Sequence, residues 1–207
     1  MRNLLFVSVV AFALLAASCA SSIRSGCGEA GRVLLSRTDI PSVIVATDSL
    51  QTFDMEISFF GKHLNGMMLI KRQDPETVRI LVNSYFGMSM ADFEMRADTF
   101  VVHYLLDAMN KPSVVNLFKN DFKLLLGLYL PEHFSAQKSL CKQLEEFISI
   151  ETLQGKYQYR INRENQNIAR IKAPGVNVEI PSHSSPRTIT LKHRGLFSPT
   201  IVIKEMK

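Results

Sequence analysis

Two short glycine motifs, five histidines, nine methionines and three cysteines are the residues of this 207-residue chain whose types and spacing can do chemistry. Gly26-Cys27-Gly28-Glu29-Ala30-Gly31 spells G-x-G-x-x-G, which cradles a dinucleotide when a strand precedes it and a helix follows. Here it lies in a small-residue run, 20–31, whose composition reads as a flexible tether, so no cofactor is assigned to it. Gly87-Met88-Ser89-Met90-Ala91 falls one residue short of a nucleophile elbow, which requires a strand–turn–helix. Met88 and Met90 alternate as in a continuing strand, which turns Ser89 to solvent. His63, His103, His133, His183 and His193 show no H-x-x-x-H spacing, and no carboxylate pair shares a helical face near a histidine for acid–base work. Met67, Met68, Met88, Met90 and Met95 are crowded. Thioethers suit Cu(I), but flexible polarisable side chains equally suit an interior that accepts variable apolar shapes, which is the reading adopted. The chain therefore reads as a non-enzyme with no catalytic residue, metal site or cofactor.

Cysteine chemistry begins at the N-terminus. Arg2 precedes an apolar run, 4–15, that has the length of a signal h-region and is too short to remain as a spanning helix. Ala16-Ala17-Ser18-Cys19 resembles the bacterial lipobox, with Ala16 where a large aliphatic residue is usual and Leu15 one place earlier. It implies a signal peptide over 1–18 and lipidation of Cys19, the alternative being an ordinary cut near Ala20. Two or more acyl chains hold a protein stably on a membrane. An anchor at Cys19 excludes nucleic acid as a natural partner. In an oxidising compartment Cys27 and Cys141 either pair or leave Cys141 as a buried thiol.

The elements follow from periodicity. Phe53, Met55, Ile57 and Phe59 alternate with Asp54, Glu56 and Ser58, a half-buried strand. Further strands are expected over 64–71, 77–85 (Val78, Ile80 and Val82 inward), 88–95 (Met88, Met90, Phe93, Met95) and 99–105, an antiparallel meander. Asn110-Lys111-Pro112-Ser113 is a helix start. Val114, Leu117, Phe118, Phe122 and Leu125 then recur at helical spacing, and a second helical stretch is expected after Ser135 on Leu140, Leu144, Phe147 and Ile148. Strands resume at 156–162, 167–173, 176–180, 187–193 and 200–205, while 29–35 begins either a helix or a strand. The fold class is thus α+β: a curved, unclosed antiparallel β-barrel of about ten strands in one domain, 32–207, capped by an apolar helical insertion over about 108–148. Net charge is +5, but uneven. Residues 19–154 carry 13 Lys and Arg against 16 Asp and Glu, and residues 155–207 carry 10 against 3. The basic half either faces anionic headgroups or is a solvated strand face.

Residues 53–131 are similar to the LolA/LolB family of outer-membrane lipoprotein carriers and receptors. The resemblance rests on Gly-x-x-Leu-Ile-Lys at 66–71, R-I-L-V-N-S-Y-F-G at 79–87, D-F-E-M at 92–95 and L-L-L-G-L-Y-L-P at 124–131. It implies an unclosed barrel whose helix-capped interior holds the acyl chains of lipoproteins or lipids. The lining would be Phe53, Met55, Ile57, Phe59, Met67, Leu69, Ile80, Val82, Met88, Met90 and Phe93, under a lid of Leu117, Phe118, Phe122, Leu125 and Leu126. The alternative is that these side chains fill the barrel of an accessory lipoprotein that binds an envelope protein. The resemblance also implies a membrane-contacting tip at Tyr85 and Phe86, unless the ring folds back over the barrel. The expected setting is a monomer on the periplasmic face of the outer membrane, with acyl chains, lipidated proteins and a periplasmic carrier as partners.

Overall fold

The computed structural model describes residues 23–59, 62–96, 99–182, 184–195 and 198–206. The expected signal segment, Cys19 and His183 lie outside them. Alternating apolar side chains build β1 (Gly31–Ser36) and the meander β2 (Gln51–Phe59), β3 (Lys62–Arg72), β4 (Val78–Asn83), β5 (Ser89–Met95) and β6 (Phe100–Leu105). One α-helix among the described residues, α1 (Pro112–Leu125), follows. The chain then returns as β7 (His133–Leu140), β8 (Glu145–Thr152), β9 (Gly155–Asn162), β10 (Ile168–Ala173), β11 (Val176–Glu179), β12 (Thr188–His193) and β13 (Thr200–Glu205). Every neighbouring pair is antiparallel, in the order β1-β7-β8-β9-β10-β11-β12-β13-β2-β3-β4-β5-β6. The result is a single curved, unclosed sheet of thirteen strands, with β1 and β6 as its edges.

Thirteen strands replace the expected ten, and the helical insertion ends at Leu125 rather than near 148. Phe134 and Ala136 point inward between exposed His133, Ser135 and Gln137, a period of two that the apolar spacing further on obscured. Leu140 and Leu144 belong to no helical stripe: both are exposed, and Gln143 and Leu144 turn the chain with φ of 62° and 56°. In β8 both faces are covered. Ile148 and Ile150 join the main core, whereas Phe147 is buried outside it, opposite Arg160 on β9. Burial on both faces gives a near-continuous apolar run, which period alone does not separate from a helix.

The outer cover near Phe147 is the N-terminal segment, which is docked rather than free from Ile23 onward. Ile23 is buried, and its carbonyl and that of Ser25 accept from the Arg160 guanidinium, itself paired with Glu145. Gly28 N–H donates to Leu140 O, Lys142 N–H donates to Gly26 O, and a disulfide joins Cys27 to Cys141. The glycine run therefore leads through a bridge into β1 and not into a helix. Ser89 begins β5 on the solvent side, with no helix after it.

Candidate functional site

The inner face of the sheet is covered by two pieces of chain. The first is α1, which enters with Pro112 in its first turn and buries Phe118, Asp121, Phe122, Leu124 and Leu125. Phe118 and Phe122 stack with centroids 5.9 Å apart, and both meet Phe93 of β5, at 5.3 and 5.9 Å. Gly127, at φ 69°, ends the helix: Leu128 N–H donates to Lys123 O and Gly127 N–H to Leu124 O, the left-handed stop that glycine favours. The second piece is a strap between β1 and β2 that buries Ile40, Val43, Ile44 and Ala46 in the same core. Strap and helix are tied together by Ser42 Oγ donating to Leu126 O, at 3.1 Å, and by Ile44 N–H donating to Leu125 O, at 2.9 Å.

Beneath the helix, Met55, Phe118, Asp121, Phe122, Leu125, Leu191, Ile201 and Ile203 line a gap of about 10 Å³, roughly the room one water needs. Asp121 is the one carboxylate in that wall. Its Oδ1 lies 2.9 Å from His193 Nε2 on β12, and Oδ2 is buried without a partner. His193 Nδ1 lies 2.9 Å from Pro199 O. A carbonyl only accepts, so the Nδ1 hydrogen is directed there, and the Asp121–His193 contact then requires one further proton between its two atoms. Burial pushes the Asp121 carboxyl up, against the hydrogen bond and charge of His193. Burial pulls the His193 imidazole down, but Asp121 and the Pro199 carbonyl together hold it above its ordinary value. This pair ties helix to sheet. It escaped the sequence reading, although a carboxylate inside the apolar stripe Phe118, Phe122, Leu125 was its visible signal.

Of the expected lining, Phe53, Met55, Ile80, Val82, Met90 and Phe93 are buried on the inner face, and Ile57 is half-buried against it. Four residues are corrected. Met67 and Leu69 sit on the outer face, opposite Asp54 and Thr52, while Met68 and Ile70 point inward. Met88 is 55% exposed because it lies in the turn before β5 begins at Ser89, while the register shift between Val82 and Asn83 leaves Met90 and Ala91 both buried. Phe59, at the end of β2, is 39% exposed and lies at the rim. Of the expected lid, Phe118, Phe122, Leu125 and Leu126 are buried and Leu117 is half-buried against the core.

The tip residues part company. Tyr85 folds back, its hydroxyl donating to Asp54 Oδ1 on β2 at 3.1 Å, whereas Phe86 is 99% exposed beside Gly87 at φ 80°. On the outer face, Arg79 bridges Asp92 and Glu94, and Glu94 also meets Arg96 and His103. Among the described residues no group of three His, Cys, Asp or Glu is placed to hold a metal ion. No protein family matches the chain, and no curated protein matches it.

Proposed function

We propose that this is an envelope lipoprotein that takes acyl chains of lipoproteins or lipids between the inner face of its unclosed sheet and the cover formed by α1 and the strap, in the manner of the LolA/LolB family. The observation that carries the reading is the cover itself. A thirteen-stranded sheet that does not close on itself leaves an apolar concave face, and one amphipathic helix presents Phe118, Phe122 and Leu125 to it. The gap beneath is small, so the arrangement is the closed one, and an acyl chain enters by displacing the helix from Phe93. Cys19 is the anchor in this reading, and Phe86 is the apolar contact at the tip. The role is non-catalytic: carriage to or within the outer membrane, on its periplasmic face.

Native mass spectrometry of residues 20–207, expressed in a bacterial envelope, tests it. A co-purifying phospholipid, fatty acid or acylated peptide, lost in a Phe122→Asp variant that keeps its strand content, supports carriage. A clean apo mass together with no uptake of a fluorescent fatty acid refutes it. That outcome favours the second reading, a filled barrel serving as an accessory lipoprotein that binds an envelope protein, which the 10 Å³ gap supports.

A further inference from the structure

The two ends of the sheet differ, and strand direction assigns each turn to one of them. Since all neighbours are antiparallel, the N-terminal segment shares an end with the β7–β8 and β9–β10 turns. The β4–β5 tip with Phe86 lies at the other end, together with the β8–β9 turn and its fully exposed Leu153. Eight-residue strands such as β7, at about 3.3 Å per residue, separate the ends by roughly 25 Å.

The N-terminal end is built with unusual firmness. Ile23 is buried, and the Arg160 bonds, the two backbone bonds and the Cys27–Cys141 disulfide fix the segment from Ile23 to Gly28 against the β7–β8 turn. Beside this stitch two leucines are exposed, Leu140 at 57% and Leu144 at 52%. Leu144 and its neighbour Gln143 both occupy the left-handed region, where a tight hairpin ordinarily places Asn-Gly and where a leucine is disfavoured by about 1–2 kcal/mol. Lys142 and Arg163 are exposed around them, with Glu164 in the adjoining turn, and Arg163 N–H donates to Leu144 O, which binds the two turns into one surface.

We infer that this end, with Leu140 and Leu144 as its apolar contacts, seats on the bilayer that holds the acyl chains of Cys19, and that the Phe86 end points away from that bilayer. The inference rests on the anchor proposed above. Four peptide units from Cys19 to Ile23 reach at most about 14 Å, and Ile23 is fixed, so the leash is shorter than the barrel. Leucines dip into the headgroup boundary while Lys142 and Arg163 stay at its polar level. The exposed phenylalanine is thereby left for lipidated cargo or a carrier arriving from the aqueous side, not for the anchoring membrane.

The chain contains no tryptophan, so single tryptophans report position without background. Full-length protein carrying Leu144→Trp or Phe86→Trp, processed in a bacterial envelope, is reconstituted in vesicles of phosphatidylethanolamine and phosphatidylglycerol containing brominated lipid. Intact mass first establishes acylation at Cys19. The expected result is strong quenching of L144W and none of F86W. Quenching of F86W, alone or together with L144W, overturns the orientation while leaving the anchor in place, as does acylated protein in which neither is quenched. A mass without acyl chains overturns the anchor and this inference with it.

Discussion

Raising the pH through neutrality should loosen α1 from the sheet, and Asp121→Asn should abolish that loosening. The pair is well buried, with side chains 10% (His193) and 5% (Asp121) exposed. Each is the only charged group acting on the other among the described residues, and apolar side chains of α1, β2, β12 and β13 surround them. Because Nδ1–H is committed to Pro199 O, the helix-to-sheet bond exists only while a second proton is held between Nε2 and Oδ1. His193 is held above the ordinary imidazole value of 6.5, so the native protein keeps a proton that the unfolded chain loses. The stabilisation is complete below 6.5 and fades as pH rises through the folded value. One proton sets an upper slope of about 1.4 kcal/mol per pH unit. For a chain of this size that is roughly 3–5 °C in Tm per pH unit. In Asp121→Asn the amide donates to the bare Nε2 of a neutral ring, so the tie survives without the extra proton and the slope above 6.5 disappears. Asp121→Ala leaves that nitrogen buried and unpaired, a loss of about 1–3 kcal/mol. Thermal melts between pH 6 and 9, with hydrogen exchange of the α1 amides, read both effects. A wild-type Tm that does not fall, or an Asn variant with the wild-type slope, refutes the proton count.

Joint replacement of Cys27 and Cys141 by serine should lower stability by about 2–4 kcal/mol, since the bridge closes a loop with a sequence separation of 114; coincident urea midpoints with and without reductant would contradict this. Gly66→Ala places a Cβ 2.2 Å from the Asn83 carbonyl oxygen and 2.8 Å from Met90 Cε, and because backbone cannot yield as a side chain can, a loss of about 1–3 kcal/mol is expected. An alanine variant that melts with the wild type would show that β3 and β4 separate easily. Phe122→Ala should lose about 3–5 kcal/mol, while Phe86→Ser, at a 99% exposed position, should stay within about 0.5 kcal/mol; chemical denaturation compares the two.

The sheet was largely legible because most of its strands are buried on one face. Val78, Ile80 and Val82 alternate with half-buried neighbours in β4, and 200–205 matches β13 residue for residue. What misled the reading was tertiary cover. β8 buries Phe147 on its outer face, opposite the Arg160 that holds the Ile23 and Ser25 carbonyls, and no local pattern announces a segment more than a hundred residues away. The bulge between Val82 and Asn83 has the same character. It reverses the phase of Met88 and Met90 relative to Phe93 and Met95, and nothing in the spacing of these residues marks where the reversal falls.

The inner site was legible as an apolar face and not as a mechanism. Phe118, Phe122 and Leu125 declare the stripe, but the strap of Ile40, Val43, Ile44 and Ala46 has no period at all, since it crosses the core as irregular chain. Asp121 is the instructive residue. A carboxylate within an apolar helical stripe must find a partner or lose its charge, and the partner, His193, lies 72 residues on, in a strand whose inward residues are otherwise Ile189 and Leu191. The composition of the stripe thus demanded a polar contact without saying where. An apolar cover held on one side by Leu125 and Leu126 carbonyls and on the other by a single shared proton is tied at its C-terminal half. Lys111, at the other end, provides no side-chain cap. If α1 is displaced in the proposed role, the end at Pro112 and Val114 is expected to leave the sheet first, where fewest bonds have to break.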